Sequence, residues 1–93
     1  MVIEDNSGVG VWAHSGGSIF FESTIDVEIR NNGSHGMVVD KLTNAFLSTG
    51  LRITNNGGYG LQCYGSHSIF DFGPSSISGN TQGDIHPACE IFP

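Results

Sequence analysis

The chain has 93 residues and sets three basic side chains, Arg30, Lys41 and Arg52, against nine acidic ones, for a formal net charge of −6. That length holds one domain, 1–93, with a small core, and the acidic balance would repel a polyphosphate, which excludes nucleic acid as an expected partner. No apolar run approaches the roughly 20 residues that span a bilayer, and Met1 leads straight into patterned sequence without the regions of a signal peptide, so a soluble chain with no membrane partner and no address is expected, its compartment unknown.

The pattern opens at Ile3-Glu4-Asp5-Asn6-Ser7-Gly8-Val9-Gly10-Val11 and returns as Ile29-Arg30-Asn31-Asn32-Gly33-Ser34-His35-Gly36-Met37. Ile53-Thr54-Asn55-Asn56-Gly57-Gly58-Tyr59-Gly60-Leu61 is the third copy, and Ile77-Ser78-Gly79-Asn80 begins a fourth. The asparagines at 6, 32, 56 and 80 are 26, 24 and 24 residues apart, a period that signifies a stacked repeat. Within each period the apolar residues alternate in short runs broken by Gly, Asn, Ser or Pro, which predicts strands and turns and no helix. Three runs recur: Val27/Ile29, Met37/Val39 and Ala45-Phe46-Leu47 in one period, Leu51-Arg52-Ile53, Leu61-Gln62-Cys63-Tyr64 and Ser68-Ile69-Phe70-Asp71-Phe72 in the next. From Ile3 to Ile19, Ile29 to Ala45 and Ile53 to Ile69 is always 16 residues, so the two extra residues of the first period belong in the turn around Glu22-Ser23-Thr24. The last period keeps Ile77, Asn80 and Ile85 and loses the pattern at His86-Pro87-Ala88-Cys89.

Three strands per period, each pairing with its counterpart one coil away at about 4.8 Å, make an all-β solenoid of about three and a half coils of ~24 residues. The repeated Ile-x-x-Asn-x-Gly-x-Gly-apolar pattern and the run Ile77-Ser78-Gly79-Asn80-Thr81-Gln82-Gly83-Asp84-Ile85 resemble the right-handed parallel β-helix (pectin-lyase-like) superfamily over nearly the whole chain. The resemblance implies a fold more firmly than an activity, because that superfamily includes polysaccharide lyases and hydrolases, epimerases, phage tailspikes and adhesins, many of them extracellular. Its members usually have more coils and end caps, so this is a short or truncated relative.

Asn6, Asn32, Asn56 and Asn80 share one lateral position, where an asparagine tolerates a left-handed turn and bonds its amide to the coils above and below. They are expected to be scaffold. Phe20, Phe46 and Phe70 also align and are expected to pack in the core or turns. Arg30 above Glu4 and Arg52 above Glu28 have simple ion-pair roles. Cys63 should face inward; its counterpart one coil on is Pro87, so a disulfide to Cys89 requires that coil to slip or bulge. Two cysteines do not make a metal site, and no metal or cofactor is expected.

Parity of the second strand sets the candidate site. If Val11, Met37 and Leu61 point inward, Trp12, Val38, Gln62 and His86 form one outward row and His14, Asp40 and Tyr64 the next. Trp12, His14, Asp40, Gln62 and Tyr64 then combine aromatic faces with imidazole, carboxylate and amide groups, the chemistry that stacks on and hydrogen-bonds a sugar. The expected function is a non-catalytic structural or recognition module with polysaccharide as its small partner. The alternative is a carbohydrate-active enzyme or a fragment of one, with His14 and Asp40 as a general-base pair and Lys41 near an oxyanion. The resembled lyases use carboxylate-bound calcium with a catalytic Arg or Lys, and the hydrolases use clustered Asp; no such cluster falls at one lateral position here. Finally, no segment precedes Ile3 to cover Ile3, Val9, Val11, Ile19 and Phe21, while the irregular 86–93 segment is expected to fold across the last coil. Self-association through the first coil follows, most simply as a two-fold dimer.

Overall fold

A computed structural model describes residues 1–22, 26–41 and 43–92. The described residues form twelve short strands that wind through four coils. The first coil holds β1 (Val2–Glu4), β2 (Val11–Ala13) and β3 (Ser18–Phe20), and the second β4 (Val27–Arg30), β5 (Met37–Asp40) and β6 (Thr43–Leu47). The third holds β7 (Leu51–Thr54), β8 (Tyr59–Tyr64) and β9 (His67–Asp71), and the fourth β10 (Ser76–Ser78), β11 (Gly83–Ile85) and β12 (Ile91–Phe92). Corresponding strands form three parallel sheets, β1-β4-β7-β10, β2-β5-β8-β11 and β3-β6-β9-β12. The protein is therefore a β-solenoid, and among the described residues it has no helix.

Register follows the sequence period. Ile3, Ile29, Ile53 and Ile77 pair in succession, as do Val11, Met37 and Leu61, and Ile19, Ala45 and Ile69. Each alternation therefore stacks like on like. Ile29, Met37, Val39, Ala45, Leu47, Leu51, Ile53, Leu61 and Ile69 are fully buried between the three sheets. At about 25 cal/mol per Å² of apolar surface, each of these side chains except the small Ala45 stabilises the fold by roughly 1.5–3 kcal/mol, and only the two inner coils bury theirs completely. The first coil is longer than the second by residues lying between Phe21 and Val27, where the expected insertion at Glu22-Ser23-Thr24 belongs; Ser23 and Thr24 lie outside the described residues.

The asparagine ladder is continuous. Asn32 donates from its backbone N–H and its Nδ2 to Asn56 Oδ1, both at 3.0 Å, and Asn56 donates likewise to Asn80 Oδ1 at 3.0 and 2.9 Å. The other amide hydrogens reach one coil back, to the carbonyls of Ile3, Ile29 and Ile53. Amide groups buried this way would be costly if left unpaired, so the rows of asparagine fix the turn in every coil. The left-handed backbone falls on the preceding residue, Asp5, Asn31, Asn55 or Gly79, with φ between 55 and 69°, and not on the ladder asparagines as expected. The second glycine of the repeat has a packing reason as well. A Cβ on Gly36 would stand 2.7 Å from Asn56 Nδ2 and 2.5 Å from an Ile53 methyl carbon, closer than real Cβ atoms approach.

The C-terminal segment departs from expectation. The 86–93 segment does not fold across the fourth coil: Ile91 and Phe92 form β12 and pair with Ile69 and Phe70, so the fourth coil is complete in its strands. Its corner is cut short. His86 N–H bonds Leu61 O, Cys89 N–H bonds back to His86 O, and this tight turn carries Cys89 two residues past the regular register onto Cys63. The two form a disulfide with Cα atoms 5.1 Å apart, within the range that needs no backbone displacement. The slip is thus realised, and Cys63 faces inward as expected.

The phenylalanine row is not core. Phe20, Phe46, Phe70 and Phe92 stack along the outside of the third sheet with ring centroids 5.5, 5.5 and 5.6 Å apart, and Phe72 joins 6.3 Å from Phe46. Phe20 and Phe72 are 64% exposed. Alternation forces this result, because Ile19 and Phe21 already take the inward positions on either side of Phe20. On the first sheet, Arg30 Nε meets Glu4 Oε2 at 2.7 Å and its Nη1 meets Glu28, which also binds Arg52 at 3.1 Å. The hydrogen bond to Glu4, then the charge of Glu28, hold the Arg30 pKa above its ordinary value.

Candidate functional site

The second sheet places the five candidate residues in two rows as parity requires. Trp12 pairs laterally with Val38, and Val38 with Gln62; Asp40 pairs with Tyr64, and His14 follows Ala13, the partner of Val39. His86, whose N–H bonds Leu61 O, extends the first row beyond Gln62. The ladder between β8 and β11 ends at the pair Leu61–Ile85, so Tyr64 has no strand partner on the fourth-coil side.

Exposure follows from those neighbours. Val38 lies outside the apolar core cluster yet is buried, covered in its row by larger side chains on both sides. Gln62 is buried too, and its Oε1 accepts from the Cys63 N–H at 2.9 Å, which removes the amide oxygen from a ligand's reach. Asp40 is buried between the His14 and Tyr64 positions. Both were expected on an open face, and both are corrected for one reason: an in-register row exposes only its end members. What stays open is Trp12, 57% exposed, with His14 beside it, and Tyr64, 46% exposed, two strands away or about 10 Å.

Trp12 and His14 stand edge to face with centroids 5.9 Å apart. Beside them opens a groove of about 340 Å³, bounded by Val11 to His14, by Gly17, Ser18 and Ile19, and by Thr43. The groove lies at the rim of the first coil, at the corner between β2 and β3. His14 Nδ1 is hydrogen-bonded to Ser15 Oγ at 2.7 Å, so it is Ser15 and not Asp40 that orients the imidazole. Among the described residues, no three His, Cys, Asp or Glu side chains converge as metal ligands would.

One aromatic column went unseen in the sequence. His35 stacks on Tyr59 at 5.9 Å where the chain enters the second sheet, and Tyr59 meets His86, just past β11, edge-on at 4.8 Å. The Tyr59 backbone N–H donates to His35 Nδ1 at 2.9 Å. Partial burial, and secondarily the charge of His86, lower the His35 pKa, so its neutral form is favoured. The signal was present in the 24-residue spacing of His35 and Tyr59. Comparisons with protein-family models, with curated proteins and with solved structures find no match to this chain.

Proposed function

We infer that this β-solenoid is a non-catalytic structural and recognition module that binds polysaccharide at the aromatic rim of its second sheet. The observation that carries the reading is the exposed Trp12 ring set against His14 at the mouth of a groove, since an open indole offers a stacking face for sugar C–H groups while imidazole and hydroxyls take sugar hydroxyls. Tyr64 supplies a second contact for an oligosaccharide long enough to cross two strands. The repeat's resemblance to the pectin-lyase-like superfamily supports a polysaccharide partner. The same reading includes self-association through the apolar first coil.

Trp12 is the only tryptophan, so its fluorescence reports on the site directly. Titration with a panel of acidic and neutral oligosaccharides should quench or shift the emission, and Tyr64→Ala should weaken the response to longer ligands more than to short ones. Emission unchanged across the panel overturns the reading. Cleavage of any of these glycans, abolished by His14→Ala, would replace it with the enzyme alternative.

A further inference from the structure

The four copies of the turn differ at one position that the stacking singles out. Gly10, Gly36 and Gly60 occupy it in the first three coils, and Asp84 occupies it in the fourth, as fixed by the pairing of Gly83 with Tyr59 and Ile85 with Leu61. At the three glycines an added Cβ would stand 2.8, 2.7 and 2.5 Å from the side-chain amide nitrogen of Asn32, Asn56 and Asn80, in each case the ladder asparagine of the following coil. Glycine is therefore the condition for another coil to follow in register. Asp84 brings a Cβ to that place. Its Oδ1 also accepts from Asn80 N–H at 3.3 Å and from Asn80 Nδ2 at 3.2 Å, the two donors that Asn56 offers to the next asparagine one coil earlier. One side chain both satisfies the last rung and fills the space a further rung would need.

Both end coils leave apolar side chains partly open, Ile77, Ile85 and Ile91 in the fourth among them, but in the first coil the corresponding place is held by Gly10 and no side chain fills it. Ile3, Val11, Ile19 and Phe21 are partly exposed where their counterparts Ile29, Met37, Ala45 and Leu47 are wholly buried. They line a hollow of about 580 Å³ together with Met1 and Val27. The molecule measures 29 by 26 Å across its longer axes, an end face on the order of 600 Å², so two such faces together bury about 1,200 Å², the lower bound of stable specific interfaces.

We propose that the stack has one associating end and one closed end: a second copy docks coil one to coil one, and Asp84 terminates the ladder at coil four, so that assembly stops at two chains instead of growing into a fibre. The docking half rests on the self-association reading above; the terminating role of Asp84 stands on the ladder geometry alone. An interface that adds only at one end is isologous and closes, whereas addition at both ends is heterologous and does not.

Light scattering across the micromolar range tests both halves. The wild-type chain should rise from 9.9 kDa to twice that mass and plateau. Asp84→Gly should grow past the plateau with concentration, Asp84→Asn, which keeps both the Cβ and the acceptor oxygen, should plateau like wild type, and Val11→Lys should remain monomeric, each with unchanged far-UV circular dichroism. A wild-type chain that stays at 9.9 kDa overturns the docking half, and an Asp84→Gly chain that plateaus overturns the terminating half. Where Asp84→Gly does not fold, mixing Val11→Lys with Ile85→Lys decides the same point. A closed fourth coil gives no heterodimer in that mixture, and a heterodimer means the fourth coil accepts strands and sinks the proposal. Ile3→Lys, which lies in the first-coil hollow and outside the groove, should also be monomeric, and oligosaccharide quenching retained in it keeps the glycan reading separate from either result.

Discussion

Asn56→Ala puts the ladder to the hardest test, because Asn56 is fully buried at its centre. The substitution deletes four side-chain hydrogen bonds: Nδ2 to Ile29 O at 3.2 Å, Nδ2 to Asn80 Oδ1 at 2.9 Å, and the two bonds that Oδ1 accepts from Asn32, both at 3.0 Å. Two of the groups left behind keep partners. Asn32 Nδ2 still reaches Ile3 O, and Asn80 Oδ1 still accepts the backbone N–H of residue 56. The Asn32 backbone N–H is orphaned in a buried site, which costs ~1–3 kcal/mol, and the two lost Nδ2 bonds add about 1 kcal/mol each, for a total of ~3–5 kcal/mol. Asn6→Ala at the exposed end of the ladder removes only the Nδ2 bond to Asn32 Oδ1 and should cost ~0.5–1 kcal/mol. Urea unfolding followed by far-UV circular dichroism measures both. If the two variants fall within about 1 kcal/mol of each other, water substitutes freely for the buried amide and the ladder does not hold the turns.

Reducing the Cys63–Cys89 bond, which joins residues 26 apart, should lower stability by about 3.5 kcal/mol on the chain-entropy estimate; a urea midpoint indifferent to reductant would show that the fourth coil holds its place without the bond. The lowered His35 pKa implies that the unfolded chain binds a proton there more readily, so stability is full above pH 6.5 and declines as pH falls from 6.5 through the folded-state value. His35→Gln should flatten that decline, and parallel pH profiles for the two proteins would remove His35 as its source.

The coil architecture was legible because stacking repeats each residue's environment: Ile3, Ile29, Ile53 and Ile77 share one position and carry one chemistry. Where hydrophobicity and alternation disagreed, at Phe20, Phe46 and Phe70, alternation decided the outcome, since a strand cannot turn neighbouring side chains to the same face. The candidate site was legible only in direction. Parity placed Asp40 and Gln62 outward, but their burial depends on what the coils above and below contribute to each row, and one of those coils is cut short by a disulfide that the residue spacing alone does not fix. Asp84 was readable in principle, as the one copy in which the turn's second glycine is replaced. Its meaning needed the distance between that position and the next asparagine.

The pairing scheme also dictates how such a chain acquires its structure. No described strand pairs with a residue closer than the 22 positions that separate Ile69 from Ile91; the other ladders span 24 or 26. Among the described residues there is no hairpin to form first. Each pair of coils closes a loop of some two dozen residues before its first ladder bond offsets that entropy. Once one pair of coils is joined, its exposed strand edges form a template, and every later strand adds to an edge already in place. Folding of this kind has a slow first step, and while coils are still being added the unpaired edge of the latest one is open to the wrong partner.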